Sequence, residues 1–133
     1  MKLIIKGRLD GLNNYIAACR TNHYKGAQVK SDNEQIVVLA IMSQLKGKKV
    51  SGPVKMRYRW YEKNQRRDLD NISSFGRKVI QDALVKTGVL KNDGWKDIRG
   101  FSDEFYIDPD RPRIEVDIME VIKCHNAKKY MNT

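Results

Sequence analysis

Residues 66–71 read Arg66-Arg67-Asp68-Leu69-Asp70-Asn71, and this stretch limits the chain more than any other. Two carboxylates stand one residue apart, directly after two arginines. Side chains alternate in an extended segment, so there Asp68 and Asp70 would point to the same face. Carboxylates that close repel one another, and a cation between them relieves the repulsion. A helical pattern follows, then Gly88, then a third acid in Asn92-Asp93-Gly94-Trp95. These are the components of a magnesium site beside a positive surface.

Charge supplies that surface. Among 133 residues, 26 Lys+Arg stand against 16 Asp+Glu, a formal net charge of +10. Such an excess favours an anionic partner, most often nucleic acid and less often anionic lipid. The length fits one domain with a real core. No apolar run approaches the roughly 20 residues that cross a bilayer. The apolar part of Met1-Lys2-Leu3-Ile4-Ile5-Lys6 is too short for a signal peptide. Cys19 and Cys124 are far apart, His23 is isolated and His125 directly follows Cys124, so no zinc spacing exists. Free thiols in a reduced, cytoplasmic protein are the expectation.

In chain order, residues 2–9 read as a strand, and Gly11-Leu12-Asn13-Asn14 reads as a turn. Residues 15–24 are weakly helical, and Gly26 interrupts them. Ser31-Asp32-Asn33-Glu34 has the pattern of a capping box ahead of a helix over 34–46. That helix is apolar almost all round, through Ile36, Val37, Leu39, Ala40, Ile41, Met42 and Leu45, which predicts burial on more than one side. Gly47 ends it. Gly52-Pro53 then opens the clearest strand. Val54, Met56, Tyr58 and Trp60 face one way, and Lys55, Arg57, Arg59 and Tyr61 face the other. The second face is a ladder of cations leading to Arg66 and Arg67, either a solvated strand face or a track for phosphates.

Residues 72–86 form an amphipathic helix with Ile72, Phe75, Val79, Ala83 and Leu84 as its core stripe. At about 100° per residue, Asn71, Ser74, Lys78 and Asp82 share one flank. Gly88 follows as its terminator. Residues 95–107 fit a strand or hairpin arm with Ile98, Phe101 and Phe105 inward. Asp108-Pro109-Asp110-Arg111-Pro112 is a turn, and residues 113–122 are the last strand. Residues 1–122 thus make a single domain, and 123–133 a basic tail that is flexible or an arm on nucleic acid. The expected fold is α/β (α+β), a mixed sheet of about four strands packed with two main helices.

There is no Gly-rich phosphate loop or Walker motif, and neither histidine sits in a recognisable Ser/His/Asp setting. The carboxylates are better placed. Magnesium takes a few carboxylates plus water and substrate phosphate, and Asp68, Asp70 and Asp93 would supply the carboxylates. A bound metal activates water and stabilises charge on a phosphate in flight. Lys78 would add positive charge to that transition state or to the leaving oxygen. On spacing alone, the competing reading is surface acids paired with Arg66, Arg67 and Lys96.

Three segments in order, Arg66-Arg67-Asp68-Leu69-Asp70-Asn71, Lys78-Val79-Ile80-Gln81-Asp82-Ala83-Leu84 and Gly88-Val89-Leu90-Lys91-Asn92-Asp93, resemble the core signature of the RusA family of Holliday junction resolvases. Leu12-Asn13-Asn14-Tyr15 and residues 112–121 extend the similarity more weakly to both sides. The resemblance implies a homodimeric, magnesium-dependent endodeoxyribonuclease, with manganese as a substitute metal. It implies an α/β fold, a phage or prophage setting for many members, and resolution of four-way DNA junctions by paired symmetric nicks in recombination and repair.

By the same resemblance, the catalytic and metal-binding acids fall on Asp68, Asp70 and Asp93, and the functional lysine on Lys78. The interval between the Asp-Asn pair and Asp-Ala-Leu is about four residues longer here, close to one helical turn. Counting back from Asp82 gives Lys78, whereas counting forward from Asp70 gives Ser74. The shift keeps the helix flank but moves the amine by about 5 Å along the axis. Asn92 stands where members often carry a second acid. Contacts to DNA backbone phosphates would fall to Arg57, Arg59, Arg66 and Arg67, with Asn71, Lys55 and Lys96 as further candidates. No membrane and no small-molecule cofactor are expected, and the setting is a bacterial or phage-infected cytoplasm. Two rivals use the same surface: a non-catalytic protein that binds branched DNA, and a nuclease acting on other branched DNA such as flaps or forks.

Overall fold

In chain order the elements are β1 (Lys2–Lys6), α1 (Leu12–Thr21), α2 (His23–Gln44), β2 (Val54–Glu62), α3 (Leu69–Lys86), β3 (Ile98–Ile107) and β4 (Arg113–Glu120), in a computed structural model that describes residues 1–121. β2 behaves as its alternation requires. Val54, Met56, Tyr58, Trp60 and Glu62 are buried, and the residues between them reach the other face. β2 pairs antiparallel with β4 and parallel with β3, and β1 adds antiparallel to β4. The sheet order is therefore β1-β4-β2-β3. A parallel neighbour needs a long crossover, and α3 supplies it. β3 is the return strand of a β2–α3–β3 unit rather than a hairpin arm. The mixed four-stranded sheet with three helices is the α+β arrangement the sequence implies.

Helices cover the inner sheet face. Val37, Ile41 and Leu45 of α2 join Phe75, Val79, Ile80 and Leu84 of α3 against Ile5, Trp60 and Val116 of the sheet. Each such side chain contributes about 1.5–3 kcal/mol by leaving water.

Several local expectations change. β1 stops at Lys6, where Gly7 leaves the ladder and donates its N–H to the Pro112 carbonyl. The turn expected at 11–14 is the start of α1. Gly11 occupies the N-cap and has no side chain to cap with, so Asn71 of α3 does so from outside, its Oδ1 accepting the Asn13 N–H at 2.8 Å. The capping-box pattern at Ser31 lies inside α2 and starts nothing. α2 begins at His23, where the Asn22 side chain accepts the Lys25 N–H. Asn33 has other work: buried, it donates to Asp10 Oδ2 and the Val29 carbonyl and accepts the Asp10 N–H. Gly26 does not interrupt the helix. It is where α1 and α2 touch, since a Cβ there would lie 2.4 Å from Cys19 Sγ.

Nor is α2 buried on more than one side. Val37, Ile41 and Leu45 face the core, while Ile36, Leu39 and Met42 are exposed, because sheet and α3 lie on one side of it only. α3 starts at Leu69, earlier than residue 72, so Asp70 lies in the first helical turn and only Asp68, the residue before the helix, keeps an extended backbone. Gly88, at φ +82, closes α3 in the left-handed conformation that glycine adopts freely. β4 ends at Glu120. Residue 122 of the expected last strand, the 123–133 tail, Cys124 and His125 lie outside the described residues.

Candidate active site and nucleic-acid interface

The N-terminus of α3 carries two of the candidate acids. Asp68 is the N-cap residue with extended backbone, its side chain makes no capping bond, and Asp70 lies in the first turn. Ile72 donates its N–H to the Asp68 carbonyl at 3.0 Å, which begins the helix. Both side chains are exposed, and among the described residues neither has a hydrogen-bond or ion-pair partner. The positive end of the helix stabilises anionic side chains there by about 0.3–1 kcal/mol each. The pair fits a magnesium ion of the kind held by one or two carboxylates with water and substrate phosphate completing the shell. Among the described residues, no group of three or more His, Cys, Asp or Glu is gathered to hold a metal.

Arg67, one residue before Asp68, points inward. Glu62 takes the last inward position of β2 and is 4% exposed. Arg67 Nε and Nη2 donate to its two oxygens at 2.9 Å each, and Nη1 donates to the Leu9 carbonyl at 3.0 Å. Arg8 approaches the same carboxylate at 3.5 Å. A bidentate, charge-assisted pair is both strong and directional. It ties the end of β2 to the start of α3 and fixes the backbone that presents Asp68. Beside it opens a cavity of about 760 Å³ lined by Asp68, Leu69, Ile72, Phe105 and Ile107 among others.

Lys78 lies two turns further along α3, about 12 Å from Asp70 along the axis. Its Nζ is 2.9 Å from Asp93 Oδ2 and 3.1 Å from Asp82 Oδ1. Those hydrogen bonds, donated by Lys78 to Asp93 first and Asp82 second, hold its ammonium above the usual lysine range. Asp82 also meets Lys30 of α2 at 2.9 Å. Partial burial pushes the Asp82 carboxyl up, but Lys30 and Lys78 together bring it below the usual range. Buried Val89 and Leu90 anchor the loop that delivers Asp93. The structure thus brings Lys78 and Asp93 together at mid-helix, two turns beyond Asp68 and Asp70 at the start of α3. Ser74, the alternative lysine position, donates its hydroxyl to the Asp70 carbonyl.

The expected cation ladder is a mixed-charge lattice. Arg57 pairs with Glu104 at 2.6 Å, and Arg59 with Asp117 at 2.9 Å and Glu115 at 3.4 Å. Register brings these groups together: Arg57 stands beside Asp117 and Arg59 between Glu115 and Glu104, so Arg59–Glu115 is a direct cross-strand pair, while Arg57–Glu104 and Arg59–Asp117 are diagonal ones. Burial pushes the Glu115 carboxyl up, but hydrogen bonds from Arg113 and Lys2 hold it below the usual range. Lys55 is exposed at the start of this face, and Asn71 is occupied by α1. Of the candidate phosphate ligands, Arg66 and Lys96 form no side-chain ion pair among the described residues. Lys91 and Arg99, which the sequence reading did not single out, share that property. Their signal was available, as cations on both sides of Asp93.

Among the described residues, no helix is long and apolar enough to cross a membrane. Compared with known families, residues 8–119 match the family described as endodeoxyribonuclease RusA. The matched segment contains Asp68, Asp70, Lys78 and Asp93. A search of curated proteins finds no significant match.

Proposed function

Because the chain belongs to the RusA family of endodeoxyribonucleases, we propose that it binds four-way DNA junctions as a homodimer and resolves them by paired, symmetric, magnesium-dependent nicks. The observation that carries this reading is the pair of unpartnered carboxylates, Asp68 and Asp70, on the N-terminus of α3. A magnesium ion, or manganese in its place, supplies water activation and charge neutralisation at the phosphate. Asp68 and Asp70 would hold it, and the Arg67–Glu62 pair keeps their backbone in place. Asp93 is the third acid of the proposed set. Its contact in this chain is Lys78, so it aims the ammonium that stabilises charge on the departing oxygen.

Backbone phosphates fall first to Arg66 and Lys96, joined by Lys91 and Arg99. Arg57, Arg59 and Lys55 on the outer sheet face are secondary, because Arg57 and Arg59 would exchange carboxylates for phosphates. A four-way junction has two strands to cut, and a two-fold dimer presents two equivalent sites. A cytoplasmic role in recombination and repair accords with this activity.

A labelled synthetic four-way junction tests the proposal, with linear duplex, calcium and Asp70→Asn as controls. Symmetric nicks are expected in magnesium on the junction alone, and none with calcium or the variant. Undiminished cleavage by Asp70→Asn would end the assignment. Asp93 is engaged by Lys78, and no third ligand is gathered with Asp68 and Asp70 among the described residues, which favours one other reading, a non-catalytic holder of branched DNA. Tight junction binding without nicks in either magnesium or manganese would establish it.

A further inference from the structure

A second groove, of about 300 Å³, lies against Asp93. Trp95 and Phe101 give it aromatic walls, and Gly94 and Gly100 leave it open, since a Cβ on either would meet nothing within 4 Å. Trp95 is 91% exposed and Phe101 52%, a large apolar surface to leave in water beside a candidate active site. Phe101 is nevertheless fixed. The Arg77 guanidinium sits 4.4 Å over its ring and is anchored to Asp103 at 2.7 Å. Arg99 lines the groove and Lys96 directly follows Trp95 in the chain, both cations without ion pairs among the described residues. An occupant must therefore be flat and apolar on its faces and joined to negative charge. A nucleotide whose base has left the stack has that description. In intact duplex the bases stay stacked, whereas at a branch point the stack is interrupted and a base leaves it at lower cost.

We propose that this groove receives an unstacked nucleobase at the branch point of DNA, stacked on Trp95, with the flanking phosphates on Lys96 and Arg99. The inference rests on the branched-DNA reading above and adds the contact that distinguishes a branch from a duplex. Stacking on an aromatic side chain tolerates any base, because every base has a π-face.

Binding is measured in calcium, so that no strand is cut, with a four-way junction and a linear duplex as probes. Trp95→Ala lowers junction affinity about tenfold or more and leaves duplex affinity unchanged. Trp95→Phe restores most of the loss, and Tyr24→Ala, an exposed aromatic on α2, changes neither. With 5-iodouracil in the junction, near-ultraviolet light crosslinks Trp95 to branch-point nucleotides and not to those in mid-arm. Junction binding by Trp95→Ala equal to wild type, an equal loss on both probes, or a crosslink without preference for the branch each overturns the groove alone. Wild-type protein that does not prefer the junction overturns the branched-DNA reading and the groove with it.

Discussion

Arg66 and Arg67 are identical in the chain and opposite in the fold. Arg67 is clamped on buried Glu62, so Arg67→Ala leaves a buried carboxylate short of its main partner and costs about 3 kcal/mol. Arg66→Ala removes an exposed cation and changes stability by less than about 0.5 kcal/mol. It weakens DNA binding evenly across sequences and reduces the salt slope by about 1. Urea denaturation and salt-dependent binding separate the two effects. The clamp was partly legible: the alternation that places Trp60 inward also places Glu62 inward, and a buried carboxylate needs a partner. What alternation cannot supply is which arginine turns back to meet it. Lys78 is a different case. Its ion pairs are exposed, so Lys78→Met costs at most about 1 kcal/mol in stability, yet nicking should slow about a hundredfold or more. Thermal melts beside single-turnover cleavage check both halves.

Among the elements, β2, β4 and α3 followed from periodicity, β3 did so only in part, since Phe101, expected inward, is 52% exposed, and the first half of the helical layer did not. Ser31-Asp32-Asn33-Glu34 has the composition of a cap, but Asn22 is the residue that accepts a first-turn N–H. Asn22→Ala should therefore cost about 1 kcal/mol, and Ser31→Ala, exposed in mid-helix, less than about 0.5 kcal/mol. The reverse order in chemical denaturation would reinstate the box. β3 was legible as a strand but not as a parallel one, because its partner is chosen by the α3 crossover and not by its own residues. The same limit applies to the charged face of β2. Its cations were plain in sequence, while their partners Glu104, Glu115 and Asp117 arrive only through register with β3 and β4.

At the scale of the molecule, ionic contacts set the response to pH. The Asp82 and Glu115 carboxyls are depressed in the folded state. Their stabilisation is complete above the ordinary carboxylate range and is lost as pH falls through the folded values. Lys78 is raised, so its contribution is complete below the ordinary lysine range and fades only in strong alkali. Tm should hold level through neutrality and fall below about pH 4. Asp82→Asn should lower the plateau slightly and flatten the acid limb. Circular-dichroism melts across pH test this, and a Tm that rises on acidification would contradict it. The +10 charge pointed to an anionic partner from the outset, but which cations remain unspent became visible only when each was seen with or without a carboxylate. The two indoles, finally, have opposite surroundings: Trp60 is 1% exposed and stacked on Tyr58, while Trp95 stands in water. The protein thus carries two native indole fluorophores with separate duties. Blue-shifted emission sheltered from acrylamide reports the state of the core, and red, quenchable emission reports what occupies the surface, both from one unlabelled sample.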